Sequence, residues 1–137
     1  LDLFSGVGSF GLEALSRGAK KVVFYEDYKL VIDLLTKNIN NLGFANKAEI
    51  FKKNIYLDEN FKSTNTQFDL VFIDPPFKDK NLDALIQKIS KKNIISPMNT
   101  IIIHRNKNTK DEFDSNFKIL KKEYYGKSQI IFGSFNV

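Results

Sequence analysis

Asp74-Pro75-Pro76-Phe77 follows the clearest strand of the chain, Phe68–Ile73, and gathers a carboxylate, two rigid prolyl units and an aromatic ring into one turn. Proline fixes φ and has no N–H, so the carbonyls of such a turn are held stiffly, with no ladder bonds competing for them. The Asp74 carboxylate and the Pro75 carbonyl can then accept two hydrogens from one amine. That arrangement answers a specific chemical difficulty. The exocyclic amine of guanine or adenine is a poor nucleophile, because its lone pair is delocalised into the ring. Two fixed acceptors turn the lone pair toward an electrophilic methyl group, each charged hydrogen bond contributing roughly 1.5–3 kcal/mol while orienting the attack. Phe77 gives a base a stacking face, worth about 1–3 kcal/mol. The alternative is a rigid loop after a core strand.

A second constellation lies near the start. Gly6-Val7-Gly8-Ser9-Phe10-Gly11 stands between a strand and a helix, where spaced glycines let a ligand approach the backbone. Glu26 ends the next strand, twenty residues after Gly6, where a carboxylate can accept hydrogen bonds from the ribose hydroxyls of an adenosine cofactor. Asp2 lies four residues ahead of Gly6, in a position that is usually apolar in dinucleotide-binding strands. It can pin the amides of the loop and lie near a cationic methionine end, which favours S-adenosylmethionine over a nicotinamide dinucleotide; it can also merely cap the turn. Asn54 closes the third strand, placed to meet an adenine amine, with Ile55 beside it to pack on the ring; the alternative is a strand-end turn. Phe4, Ser5 and Asp27, next to these residues, complete the expected cofactor contacts with Gly8.

Composition narrows the chemistry. The 137 residues contain no cysteine and one histidine, which removes thiolate nucleophiles, cysteine metal sites and any multi-histidine metal site. No metal is expected. A net charge of +5 and a pI near 9.3 fit a polyanionic partner without establishing one. No apolar run nears the roughly 20 residues of a membrane helix and no signal-peptide pattern opens the chain, so a cytoplasmic protein is expected, without membrane contact. Leu1 stands inside a strand-like run, which reads as a fragment lacking its N-terminal segment.

Strand and helix patterns alternate: strands at 1–4, 21–25 and 49–51, the last running on toward Asn54; helices to about Arg17 and over 28–42; the strand 68–73; a helix over 82–91; and a strand over 100–104. The stretches 117–125 and 128–136, joined by Tyr125-Gly126-Lys127, read as an antiparallel hairpin. The expected fold is α/β: a Rossmann-like doubly wound, mostly parallel sheet with a C-terminal hairpin, residues 1–137 forming one catalytic domain. The lysine pairs at 52–53, 91–92 and 121–122 read as solvated faces. His104 reads as a strand-end residue, and Gly126-Lys127-Ser128 lacks the upstream glycine of a phosphate loop.

Three segments together carry a resemblance: Leu1-Asp2-Leu3-Phe4-Ser5-Gly6-Val7-Gly8, Gly11-Leu12-Glu13-Ala14-Leu15-Ser16-Arg17-Gly18-Ala19 and Asp74-Pro75-Pro76-Phe77. They resemble the bacterial 16S ribosomal RNA guanine-N2 methyltransferases of the RsmD family, over essentially the whole chain. The resemblance implies the class I methyltransferase fold, S-adenosylmethionine as donor, one guanine of 16S ribosomal RNA or the assembled small subunit as acceptor, and a monomer. Members also carry an N-terminal segment that helps cover the cofactor and contact RNA. Asn54 stands where the family often has aspartate, and His104 where many members have glutamate. Other readings stand beside it, among them a methyltransferase for protein or small-molecule amines. Adenine-N6 DNA methyltransferases share related motifs but add a DNA-recognition domain for which this chain has no room. A non-catalytic RNA- or nucleotide-binding module would not require Asp74 or the glycines.

Overall fold

The computed structural model describes residues 1–59, 61 and 66–136. The chain forms two compact units, Leu1–Glu59 and Asn60–Val137.

In the first unit, β1 (Asp2–Leu3), β2 (Val22–Tyr25) and β3 (Ala48–Phe51) run parallel in the order β3-β2-β1, with α1 (Ser9–Ser16) and α2 (Lys29–Asn41) as the intervening helices. All four β2 residues are buried, as expected of a strand covered on both faces. α2 buries Ile32, Leu35 and Ile39, the i, i+3, i+7 stripe of an amphipathic helix. Its other leucines, Leu30 and Leu34, stay exposed, as does Leu42 at its end. Leu12, Leu15, Val22, Phe24, Leu35 and Ile39 form the core cluster. The structure also explains the helix segment Gly11–Ala19. Leu12 and Leu15 enter the core, and Glu13 and Arg17 pair at i, i+4 on the exposed face. A Cβ on Gly11 would lie 2.4 Å from Phe24 Cε1, so only glycine lets α1 lie this close to β2.

In the second unit, β4 (Phe68–Ile73) pairs parallel with β5 (Ile95–Asn106). β5 pairs antiparallel with β7 (Ser128–Phe135), and β7 with β6 (Phe117–Tyr125), giving the order β4-β5-β7-β6. α3 (Leu82–Lys91) buries Leu82, Leu85, Ile86 and Ile89. Tyr125 pairs with Ser128, so the hairpin closes through Gly126-Lys127, with Gly126 at φ +56°.

The boundaries agree with the sequence reading to within a residue or two except at the end of β3 and in β5, which begins at Ile95 rather than Thr100 and runs on to Asn106 rather than His104. Ser96, Pro97 and Asn99 interrupt the apolar pattern, and the pairing jumps from Phe68↔Ile95 to Leu70↔Thr100. Asn99 secures this bulge: its amide donates to the Ser96 and Phe135 carbonyls and accepts from Phe135 N–H. β3 stops at Phe51, short of Asn54. Among the described residues no helix is long and apolar enough to cross a membrane.

Candidate active site

The glycine turn of the first unit is held by carboxylates acting on backbone amides. Glu26 Oε2 accepts from Gly6 N–H at 2.9 Å, while Oε1 accepts from Asp27 N–H and Tyr28 N–H, each at 3.0 Å. One side chain therefore ties the turn to the entry of α2. Asp2, 2% exposed, accepts from Gly11 N–H at 3.0 Å. It takes the place of a side-chain cap on α1, whose N-cap residue is Gly8. Buried in this way, Asp2 acts on the loop by hydrogen bonding. Asn38 Nδ2 donates to the Val7 carbonyl, fixing the turn from α2.

Phe4, Gly6 and Gly8 all have positive φ, at 57°, 56° and 88°. For Phe4 this left-handed conformation is costly, and such strain is typical of ligand-holding turns. A Cβ on Gly8 would come 2.4 Å from Leu35 Cδ1, whereas one on Gly6 would meet nothing within 4 Å. The turn is thus packed from below at Gly8 and open above Gly6. Ser5 Oγ is buried with no hydrogen-bond partner among the described residues, an unusual state for a hydroxyl unless a ligand completes it.

Asn54 sits in the turn after β3. Its Oδ1 accepts from Tyr56 N–H at 2.9 Å, and its carbonyl accepts from Leu57 and Asp58 N–H, which is the strand-end turn weighed as the alternative. Its side chain remains exposed. Ile55 is 2% exposed and offers an adenine ring little surface. The neighbouring aromatics are Tyr56 and Phe4, their ring centroids 5.6 Å apart. The sequence reading missed Asp58, which is buried and accepts from Tyr25 O–H at 3.1 Å, with Lys53 Nζ at 3.8 Å.

In the second unit the Asp-Pro-Pro-Phe turn is held by side chains. Pro76 O accepts from Asp79 N–H, closing the turn. Beneath it Arg105, 1% exposed, donates to the Asp79 carbonyl at 2.8 Å and to the Pro76 carbonyl at 3.4 Å. The same guanidinium makes a two-point contact with the Asp111 carboxylate, at 2.9 and 3.0 Å. Among the described residues no donor reaches the Pro75 carbonyl.

Asp74 keeps 40% of its side chain exposed, and its Oδ1 lies 2.8 Å from His104 Nδ1. Phe77 is 42% exposed and meets the His104 ring edge-on, with centroids 5.3 Å apart. Asp74 and Phe77 thus present a carboxylate and a ring face together. Arg105 and His104 were not read as site residues. Arg105 is one of only two arginines in a lysine-rich chain, with an aspartate six residues on, and that was the available signal.

The second unit also holds a cavity of about 290 Å³, lined among others by Lys107, Lys110, Phe113, Lys122, Tyr124 and Gln129. Its cations and aromatics suit a phosphate backbone and stacked bases. Among the described residues no group of three or more histidine or carboxylate side chains could hold a metal.

Residues 1–134 match the family described as Conserved hypothetical protein 95. Ribosomal RNA small subunit methyltransferase D from Haemophilus influenzae is 34% identical over 127 residues, covering 92% of this chain and 66% of that protein. The protein of the same name from Buchnera aphidicola subsp. Baizongia pistaciae is 35% identical, covering 90% of this chain and 62% of its own length. The chain therefore spans a little under two thirds of these relatives. A crystal structure of a candidate methylase from Haemophilus influenzae shares the fold with a TM-score of 0.84 at 31% identity, covering 96% of this chain and 84% of that one. A conserved hypothetical protein from Streptococcus pyogenes does so at 0.86 and 26%, covering 96% and 83%. The architecture is the Rossmann-like methyltransferase fold, with antiparallel strands at its C-terminal end.

Proposed function

The chain belongs to the Conserved hypothetical protein 95 family, the RsmD family of methyltransferases, and from that premise we propose that it carries the catalytic core that methylates the exocyclic N2 amine of a guanine in 16S ribosomal RNA. The carrying observation is the exposed pair at the Asp-Pro-Pro-Phe turn: a carboxylate partly open to solvent beside an open aromatic face.

S-adenosylmethionine fits the first unit on two observations, the buried Ser5 hydroxyl without a partner and the open space above Gly6. When bound, the donor supplies a methyl group on a sulfonium, so that neutral sulfide is the leaving group. Gly6, Gly8 and Ser5 would hold it, with Phe4, Asp27 and Asn54 at the edges. Glu26 already accepts three amides; an ionised carboxylate has about four acceptor positions, so its further capacity suits one ribose hydroxyl rather than a wide span.

Asp74 Oδ2 and the Pro75 carbonyl accept the two amine hydrogens. Held by these two acceptors, the amine would present its nitrogen lone pair to the methyl group that a bound donor would supply. The surplus proton leaves the methylated nitrogen through the Asp74 carboxylate to solvent. Phe77 stacks on the base, which must be unpaired or flipped at a cost of a few kcal/mol. The basic cavity supports RNA as the partner, since lysines that contact phosphates make binding fall steeply with salt.

The test incubates the full-length protein with undermethylated small subunits and tritiated S-adenosylmethionine, followed by mass spectrometry of the 16S nucleosides. N2-methylguanosine is expected. Label in N6-methyladenosine, or equal methylation of free guanosine, would overturn the assignment.

A further inference from the structure

Two residues that the sequence left without a role converge on Asp74. His104 Nδ1 lies 2.8 Å from Asp74 Oδ1, and His104 Nε2 lies 2.7 Å from Ser128 Oγ. β5 carries the histidine, β7 the serine, and Asp74 directly follows β4. Neighbouring strands thus form one chain of hydrogen bonds: carboxylate, imidazole, hydroxyl.

The polarity of that chain follows from its first member. An ionised carboxylate only accepts, so the proton between Asp74 and His104 sits on Nδ1. In the neutral imidazole Nε2 is then the acceptor, and the Ser128 hydroxyl donates to it. Oδ1 is occupied by the imidazole, which leaves Oδ2 as the oxygen for an incoming amine. The histidine thereby fixes the carboxylate rotamer. It also touches Phe77, whose ring meets it edge-on at 5.3 Å, so one imidazole braces both the acceptor oxygen and the stacking surface.

We infer that His104, seated by Ser128, is a positioning residue for methyl transfer: as the neutral Nδ1–H tautomer it holds Asp74 with Oδ2 toward the target amine and steadies Phe77 beneath the base. The inference rests on the role proposed for Asp74. Positioning of this kind acts on the rate of the chemical step, because a misplaced acceptor loses orientation while the donor site is untouched.

His104 is the only histidine among these 137 residues, and its imidazole signals are identified by their loss in His104→Asn. Long-range proton–nitrogen NMR at neutral pH is expected to show one fixed tautomer, protonated at Nδ1, that Asp74→Ala releases into tautomer averaging. An Nε2–H tautomer, or averaging in the wild type, overturns the inference whatever the activity.

Single-turnover methylation then tests the consequence. His104→Ala is expected to slow the chemical step about 10–100-fold, with the apparent RNA KM and the donor affinity within a few fold. In His104→Asn the side-chain amide nitrogen stands where Nδ1 did, and most of the rate returns. His104→Gln reaches toward Ser128 instead and does not rescue. Ser128→Ala gives a loss of a few fold. Should Asp74→Ala abolish turnover while His104→Ala does not, the positioning role fails and the function stands. If Asp74→Ala is also without effect, the reading of the turn fails and takes this one with it.

Discussion

The two turns that carry the chemistry are built on opposite plans. In the glycine turn the exposed working surface is backbone, and buried or half-buried carboxylates hold it: Glu26 accepts three amides and Asp2 a fourth. In the Asp-Pro-Pro-Phe turn the exposed working groups are side chains, and side chains hold them: Arg105 grips the carbonyls from below, and His104 holds Asp74 from beside. A backbone surface suits a ligand that must be gripped along its length, such as an adenosine cofactor. A side-chain surface suits an amine that must be met by one oriented oxygen. The first is broken by changing chain conformation and the second by deleting single groups.

The largest effect is expected at Arg105. Its guanidinium and the Asp111 carboxylate are both buried, at 1% and 8% side-chain exposure. Arg105→Met leaves that carboxylate without its buried cation and takes one donor each from the Pro76 and Asp79 carbonyls. Removing one partner of a buried pair costs about 3–5 kcal/mol, read as a lower denaturant midpoint. The double variant with Asp111→Asn should recover much of the loss, because the orphan charge is gone. An unchanged midpoint in Arg105→Met would mean that the turn is not held from below.

Asp74→Ala comes next, and its effect is on rate. Turnover should fall on the order of 100-fold, the scale of a lost orienting contact, while S-adenosylmethionine affinity by calorimetry stays within a few fold. Asp74→Asn keeps an acceptor oxygen but not the charge, and should fall between alanine and wild type by about 1–2 kcal/mol. A wild-type rate for Asp74→Ala would leave the turn purely structural.

Glu26 sharpens the comparison from the other unit. Because it holds Gly6, Asp27 and Tyr28, Glu26→Ala removes both a ribose acceptor and the anchor of the turn. Glu26→Gln keeps the length but aims amide hydrogens at N–H donors, and should weaken donor binding about tenfold, near 1.4 kcal/mol. The rate at saturating donor should be nearly retained, the reverse of the Asp74 pattern. Equal donor affinity in wild type and Glu26→Gln would remove Glu26 from the cofactor site.

What was legible in the sequence follows the same division. Strand and helix placement was readable because apolar residues recur at periods that burial enforces, as in α3 and β2. The glycine turn was readable because positive φ at Gly6 and Gly8 selects a residue type. β5 was misread at its start because a bulge held by Asn99 depends on Phe135, a partner 36 residues away. Arg105, His104 and Ser128 were invisible as a group for the same reason. Each looks like an ordinary strand residue until the β5–β7 register brings His104 and Ser128 together beside Asp74 and carries Arg105 beneath the turn. Asn54 shows the converse: its residue type suits an adenine contact, yet its Oδ1 already accepts an amide of its own turn.

The smallest predicted effect lies at the edge of the Arg105 clamp and reads the charge around it. Asp83, in the first turn of α3, has its pKa raised above the ordinary carboxylate value, first by burial and then by the negative charges of Asp111 and Glu112; Arg105 opposes this. A raised folded-state pKa means that ionisation costs stability. The cost is absent below the unfolded pKa near 3.8 and grows as pH rises through the folded value. A negative charge at a helix N-terminus is otherwise favourable by about 0.3–1 kcal/mol, so the raised pKa implies that burial and the two acidic neighbours outweigh the helix. Asp83→Asn should therefore raise the melting temperature slightly at neutral pH, and the gain should vanish on acidification below the unfolded pKa. The same substitution in an Arg105→Met background should gain more, because the opposing cation is gone. A gain independent of pH, or a loss at neutral pH, would show that the helix N-terminus, and not the acidic surroundings of the clamp, governs Asp83.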